Sequence, residues 1–291
     1  VVDEVFDIAF FPCIADFKVS HVKGYDDGYI DVCLWNGAIR TSENEEMAKL
    51  LRQKSKVMVA YGSCAYEGCI PALSNLTSKE ATFDTVYLNN PSIDNPNGVT
   101  PQVTFDVPEG ELELPSFYHT VKSLDQVVDV DYYLPGCPPQ IWAVLQVIVA
   151  ALTAGGPLPP KGSIVGAKNV AVCEECTLKK DEKSITRFYR PYEITPDPEI
   201  CLLEQGLVCM GPATRGGCEA LCPQVSMGCR GCYGPLDGVE DQGAKMLSAI
   251  ASVIGVGTPD MEEADLDREI QAVVDTIVDP AGTFYRFSMA H

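Results

Sequence analysis

Short runs of apolar and β-branched residues, each bounded by turn residues, recur along the first half of the chain. Such runs are typical of buried parallel strands. They predict strands over 7–11, 31–35, 56–61 and 128–134. The pattern of the first half therefore predicts an α/β domain built on a doubly wound parallel sheet.

Amphipathic stretches and capping residues predict the helices. Ser42 followed by Glu45 has the spacing of a capping box, which predicts a helix over 44–54. Proline is favoured in the first turn of a helix, so Pro139 is expected to begin a helix that the glycines at 155 and 156 end. Three further helices are predicted over 119–127, 242–254 and 262–277.

Two stretches interrupt this alternation. The segment 89–115 carries five prolines and little periodicity, and we assign it no regular structure. The segment 155–162, with its glycines and prolines, is the expected domain boundary. The sequence thus predicts a first domain over 1–155 and a cysteine-rich second domain over 156–291.

Two cysteines of the first domain follow predicted strands. Cys64 comes three residues after the strand 56–61, and Cys137 comes three residues after the strand 128–134. Doubly wound sheets bind their ligands at the carboxyl ends of strands, and the neighbouring glycines would let a bulky inorganic group approach the backbone. The alternative is two unrelated buried thiols, which are common in protein cores.

The second domain holds eight of the thirteen cysteines within sixty residues: Cys173, Cys176, Cys201, Cys209, Cys218, Cys222, Cys229 and Cys232. Four thiolates hold either a tetrahedral zinc ion or a 4Fe-4S cluster, so eight fit two sites of either kind. The Cys218-x3-Cys222-Pro223 segment resembles the end of a bacterial ferredoxin motif and favours clusters. A pair of zinc sites in a loop-rich scaffold stays open as the alternative.

Composition narrows the class of function. The formal net charge is -20, so a phosphate backbone would be repelled. The three histidines form no metal-like pair, and no glycine-rich phosphate loop is present, which leaves hydrolytic zinc and Ser-His-Asp chemistry without support. The odd cysteine count and the lack of a secretory signal favour thiolate ligands in the cytoplasm over disulfides. The longest apolar run, 141–154, is too short to span a membrane.

Three cysteines remain outside these groups. Cys33 lies within a predicted strand and Cys13 follows one, so both are expected in the core. Cys69, five residues after Cys64, is the one that could have a chemical role.

Taken together, five ordered motifs resemble the small subunit of NiFe hydrogenases. The closest resemblance is to the cytosolic F420-non-reducing (methyl-viologen-reducing) type that associates with heterodisulfide reductase. The motifs are GSCA at 62–65, PGCPP at 135–139, CEEC at 173–176, CLLEQGLVCMGPAT at 201–214 and CRGC at 229–232.

The resemblance implies a flavodoxin-like first domain, an irregular cluster domain and a relay of iron-sulfur clusters. It makes Cys64 and Cys137 ligands of a proximal cluster. The implied medial 4Fe-4S set is Cys218, Cys222, Cys229 and Cys232. The implied distal 4Fe-4S set is Cys173, Cys176, Cys201 and Cys209. Cys222 stands where membrane-associated relatives have proline and a 3Fe-4S cluster.

The sequence departs from the family at its amino end. The family carries a C-x2-C after its first, central strand, and this sequence contains neither that pair nor that strand. We expect an upstream segment to supply both, and with them a third, proximal cluster. The alternative is a site that is lost, or that Cys69 completes together with Cys13 or Cys33.

The resemblance predicts the electron-transfer subunit of a NiFe hydrogenase. Its expected partners are the large subunit, where H2 is split, a small iron-sulfur acceptor subunit and a heterodisulfide reductase-type complex. Two other hypotheses stay open: a zinc-stabilised docking subunit, and the cluster relay of a formate- or NAD-linked complex.

Overall fold

The structure is a computed structural model that describes residues 6–140, 159–181, 184–258 and 260–291. The chain divides into two compact units. Unit 1 comprises Val1–Tyr133, Leu158–Ser163 and Ala290–His291, and unit 2 comprises Leu134–Pro157 and Ile164–Met289. The domain division at residue 155 stays a prediction.

The first part of the chain alternates strands and helices. Its helices are α1 (Val19–Gly24), α2 (Ser42–Lys54), α3 (Ser63–Glu67) and α4 (Lys79–Phe83). Its strands are β1 (Ile30–Asn36), β2 (Ile39–Thr41), β3 (Ser55–Tyr61), β4 (Thr104–Val107), β5 (Gly110–Glu113), β6 (Phe117–Lys122) and β7 (Tyr132–Leu134), with β8 (Ser163–Ile164) further along.

The main sheet is parallel and has the strand order β1-β3-β7-β8. Strands β1 and β3 pair in parallel from Ile30 opposite Ser55 to Asn36 opposite Tyr61. Apolar side chains of α1, α2 and the sheet form the core of this unit, among them Val22, Leu51 and Met58. The predicted flavodoxin-like α/β class is confirmed, as are the strands predicted over 31–35 and 56–61.

The N-cap of helix α2 lies one residue earlier than predicted. Thr41, not Ser42, is the N-cap: its hydroxyl accepts the backbone N–H of Asn44 at 3.3 Å, and the Asn44 side chain accepts the N–H of Thr41 at 3.1 Å. The Ser42 hydroxyl instead accepts the N–H of Ser116 at 3.0 Å. The helix was predicted correctly, but its capping pair was not.

Several other predictions for this half are wrong. Residues 7–11 form no strand. Of the strand predicted over 128–134, only residues 132–134 form one, which is β7. Of the helix predicted over 119–127, residues 119–122 belong to strand β6, because β2 offers them an antiparallel partner, and the remaining residues form turns. The segment 89–115 contains the hairpin β4–β5, in which Phe105 faces Leu112.

The helix predicted from Pro139 stays a prediction, because its residues from 141 to 154 lie outside the part of the chain that the structure describes.

Unit 2 is largely irregular. Its strands are β9 (Lys168–Ala171) and β10 (Arg215–Gly216), which pair antiparallel. Its helices are α5 (Val172–Glu175), α6 (Leu221–Gln224), α7 (Gln242–Ala251), α8 (Glu263–Val274) and α9 (Pro280–Phe284). Helices α7 and α8 confirm the two predicted helices.

The core of unit 2 joins these helices to the cysteine-rich loops. Met246 and Ile250 of α7 and Val273 of α8 pack in the same buried cluster as Cys209 and Cys229. Helix packing therefore fixes the backbone on which the thiols are mounted. Within the described ranges, no helix combines the length and apolar character needed to cross a membrane.

Candidate metal centres

All thirteen cysteines lie in the described residues, and none forms a disulfide bond. Cys33 is buried in β1, as predicted, and burial raises its pKa to about 11. Cys13 is exposed, so its predicted place in the core is wrong: the segment around it forms no strand that would carry it inward.

In unit 1, Cys64 lies on α3 directly after β3, as the sequence predicts. Gly68 ends this helix with a φ of 81°, and a Cβ there would lie 2.8 Å from Ala72. The buried Cys69 side chain hydrogen-bonds Cys64, and this bond lowers the pKa of Cys64 to about 7. A second thiol therefore accompanies the predicted ligand.

Cys137 is exposed and belongs to unit 2. The preceding Gly136 has a φ of 127°, and a Cβ there would lie 2.6 Å from the Pro139 backbone. This turn therefore requires glycine. The backbone N–H of Cys137 donates to the sulfur of Cys232, which is predicted for a different set.

The predicted distal set lies together in unit 2. Burial raises the pKa of Cys173 to about 12, and the charges of Cys209, Cys201 and Cys176 raise it as well. Each member of the set is thus close enough to act electrostatically on Cys173. Cys209 is buried, and its sulfur accepts the backbone N–H of Cys229 at 3.2 Å.

Gly211 lies beside two sulfurs of this set. A Cβ at Gly211 would lie 3.1 Å from the Cys173 Sγ and 3.5 Å from the Cys209 Sγ. The absence of a side chain at Gly211 therefore leaves a space that both sulfurs border. A cysteine-ligated inorganic group needs such close backbone approach.

The predicted medial set also shows mutual electrostatic contact. Burial raises the pKa of Cys232 to about 12, and the charges of Cys218 and Cys222 add to the rise. Burial, followed by the charge of Cys209, raises the pKa of Cys229 well above its ordinary value. Cys229 therefore stands between the two predicted sets, since it also donates its N–H to Cys209.

Two polar residues that sequence reasoning missed support these loops. Gln242, buried at the start of α7, donates to the Thr214 hydroxyl and to the Gly231 carbonyl, both at 3.2 Å. Glu175 of α5 lies between Cys173 and Cys176 and accepts two backbone N–H groups from the loop of Cys218. For Glu175, the pair of glutamates inside the C-x2-C motif was the one sequence feature that could have suggested such a role.

The donor set fits an iron-sulfur group by its chemistry. Buried thiols beside one another have raised pKa values because the thiolates lose hydration and repel each other. A cationic metal centre removes both costs, and thiolates are its preferred ligands in such clusters. Within the described residues, no three histidine, cysteine or carboxylate side chains are arranged to hold a single metal ion.

Comparisons with known proteins place this chain among redox subunits. Residues 2–151 match the family described as NADH ubiquinone oxidoreductase, 20 Kd subunit. The iron-sulfur subunit of the F420-non-reducing hydrogenase of Archaeoglobus profundus is 42% identical over 86% of this chain and 79% of its own length. The corresponding subunit of the F420-non-reducing hydrogenase of Methanothermobacter marburgensis is 38% identical over 97% of this chain and 84% of its own length.

Among solved structures, a chain of an NAD+-reducing NiFe hydrogenase in the H2-reduced state is similar to this one. It is 28% identical with a TM-score of 0.41, over 51% of this chain and 74% of that chain. From the sequence matches over most of its length, the chain belongs to this family of F420-non-reducing hydrogenase subunits, within the wider family of the 20 Kd oxidoreductase subunit.

Proposed function

We propose that the chain is the electron-transfer subunit of a cytoplasmic NiFe hydrogenase. In this role it receives electrons from the H2-splitting site of a large subunit. It delivers them to a small iron-sulfur acceptor subunit and, through it, to a heterodisulfide reductase-type complex. The observation that carries the proposal is the clustering of eight thiols in unit 2, most of them buried or half-buried, in a member of a hydrogenase subunit family.

The proposed medial ligands are Cys218, Cys222, Cys229 and Cys232, and the proposed distal ligands are Cys173, Cys176, Cys201 and Cys209. Cys64 and Cys137 are proposed to contribute to a proximal site. Bound 4Fe-4S clusters would supply one-electron carriers. The chain's own task is to leave space beside the thiolates at Gly211, to donate N–H groups to their sulfurs and to exclude water with the packed faces of α7 and α8.

The polypeptide itself carries no candidate for bond cleavage in this proposal. Its residues orient ligands and set the environment of each site, since burial and hydrogen bonds to sulfur tune cluster potentials. The strongly acidic composition, with a net charge of -20, suits docking to protein partners with basic patches.

The test uses the subunit purified together with its native partners. We expect about eight iron and eight sulfide atoms per copy of the chain from the two complete sites, or about twelve of each with a proximal cluster. We also expect dye reduction that depends on H2. A colourless protein with about two zinc atoms would instead establish the docking alternative. A preparation with clusters but without H2-dependent dye reduction would point to a formate- or NAD-linked complex.

A further inference from the structure

Glu175 connects the two predicted ligand sets of unit 2. It lies on α5, between Cys173 and Cys176 of the distal set. One carboxylate oxygen accepts the backbone N–H groups of Gly217 and Glu219, each at 2.9 Å. These two residues are the chain neighbours of Cys218 in the medial set. A single side chain on one ligand loop therefore holds the backbone on both sides of a ligand from the other loop.

The loop around Cys218 has a backbone that needs such support. Glu219 and Ala220 both have a positive φ, at 55° and 52°, which is unfavourable for residues with a side chain. Two consecutive residues in this conformation persist only when surrounding contacts fix them. The two charge-assisted hydrogen bonds to Glu175 supply that constraint at the start of the strained segment.

The fold also leaves room for the carboxylate. A Cβ at Gly216 would lie 3.1 Å from the Glu175 Cδ, and a Cβ at Gly217 would lie 2.9 Å from the Ala167 Cα. Glycine at 216 thus lets the strand of the Cys218 loop approach the acid closely, and glycine at 217 lets the same segment approach the backbone of Ala167. The Glu175 side chain is only 9% exposed, so water screens its charge weakly.

The second carboxylate oxygen has a cationic partner. Lys168 Nζ lies 2.7 Å from the Glu175 Oε1, and the lysine side chain is 63% exposed. The lysine therefore compensates part of the negative charge from the solvent side, while the N–H bonds face the Cys218 loop. The net charge beside the ligand loop is therefore the sum of the Glu175 carboxylate and the Lys168 ammonium charges.

We propose that Glu175 is a positioning residue that fixes the Cys218 loop and, by its weakly screened negative charge, lowers the reduction potential of the cluster bound by Cys218. The inference rests on the proposed function, since it requires clusters at these cysteines. A negative charge beside a cluster disfavours addition of an electron, so removal of that charge raises the potential. Loss of the loop constraint also opens one ligand to exchange.

The test compares Glu175→Gln with Glu174→Gln, which removes the same charge from the neighbouring, exposed position of α5. Both variants are made in the complex with its native subunits. Redox titration followed by electron paramagnetic resonance resolves each cluster. Release of iron to a chelator measures ligand exchange. For Glu175→Gln we expect a rise in the potential of one cluster and an iron release at least several-fold faster, and for Glu174→Gln we expect values close to wild type.

A third variant separates charge from position. Lys168→Gln leaves the carboxylate and its two N–H bonds in place and removes the compensating cation, so the potential of the same cluster should fall while iron release stays at the wild-type rate. This variant decides the question if Glu175→Gln fails to fold.

Two outcomes have separate meanings. Equal potentials and equal iron release in Glu175→Gln and Glu174→Gln, or an unchanged potential in Lys168→Gln, would overturn the role of Glu175. A wild-type complex without clusters would instead overturn the proposed function.

Discussion

Asp131 accepts a 2.6 Å hydrogen bond from Arg52. The same carboxylate oxygen accepts the backbone N–H of Met58 in β3 at 2.8 Å, and Lys161 approaches the other oxygen. The Asp131 side chain is only 6% exposed. One carboxylate therefore fastens α2 and strand β3 to the segment that leads into β7.

Replacing Asp131 with asparagine should destabilise unit 1. The change removes the charge that Arg52 and Lys161 face, and the expected loss is about 2 kcal/mol of unfolding free energy, the typical range for hydrogen bonds to charged groups. Denaturant unfolding followed by circular dichroism measures it. Asp129→Asn, at an exposed position two residues earlier, should change the free energy by less than about 0.5 kcal/mol. Equal effects of the two changes would contradict the role of Asp131.

The same carboxylate predicts a dependence of stability on pH. Burial alone would raise the pKa of Asp131, but hydrogen bonds from Lys161, the Met58 N–H and Arg52 hold it below its usual value of 3.8. A lowered folded pKa adds stability that is complete above the unfolded value and is lost as the pH falls through the folded value. Between neutral pH and about pH 3, wild type should therefore lose more unfolding free energy than Asp131→Asn. Parallel curves for the two proteins would refute this expectation.

Replacing Gly211 with alanine should weaken the proposed distal site. The new Cβ would lie 3.1 Å from one sulfur and 3.5 Å from another, so at least one cysteine must move. We expect iron and sulfide contents to fall by about four atoms each per chain, the content of one cluster. Gly24→Ala is the control, since a Cβ there meets nothing within 4 Å. Full iron content in the Gly211 variant would contradict the expected loss of the distal cluster.

Replacing Cys222 with serine tests the proposed medial set. If Cys222 is the fourth thiolate, its loss should remove a single iron and convert a 4Fe-4S centre into a 3Fe-4S centre. Electron paramagnetic resonance of the oxidised complex distinguishes the two, because the three-iron form has a signal that the four-iron form lacks. Cys13→Ser, at an exposed cysteine outside both sets, should leave the spectrum unchanged. The same three-iron signal in the Cys13 variant would contradict the assignment.

Gln242→Leu should destabilise unit 2. The buried amide bonds both Thr214 and the Gly231 carbonyl, and the leucine leaves that carbonyl without its donor, at a cost of about 1–3 kcal/mol. Gln271→Leu, at an exposed position on α8, provides the control. Thermal unfolding of the intact complex measures the stability of both variants. Equal destabilisation of the two would show that leucine itself, and not the loss of the Gln242 hydrogen bonds, causes the effect.

The elements that the sequence predicted well are those with strong local signals. Strands β1 and β3 carry long apolar runs, and α7 and α8 carry amphipathic repeats, α7 with Asp241 as its capping residue. Local pattern sufficed because burial of these faces and local hydrogen bonding favour the same conformation.

The elements that were missed depend on distant partners. Residues of β6 have a helical pattern, but the pairing of Lys122 with the distant Ile39 decides their conformation. The hairpin β4–β5 lies in a proline-rich segment whose local sequence predicts only loop.

In the candidate site, too, some residues were predicted from the sequence and others were not. Cysteine spacing identified the candidate ligands in advance because thiolates are few and chemically distinct. The supporting roles of Glu175 and Gln242 could not be predicted from cysteine spacing. Gln242 bonds groups 11 and 28 residues away, and Glu175 bonds groups 42 and 44 residues away. Contacts of this kind exist only once the loops have been brought together.

The space at Gly211 has an evolutionary consequence. Position 211 can accept a side chain only where one of the flanking sulfurs is absent or moved, so glycine at 211 and the residue types at 173 and 209 should change together. An alignment of this family should therefore show covariation among these three positions. Sequences that keep both cysteines should have glycine at 211, and larger residues there should be confined to relatives in which position 173 or 209 has lost its thiol.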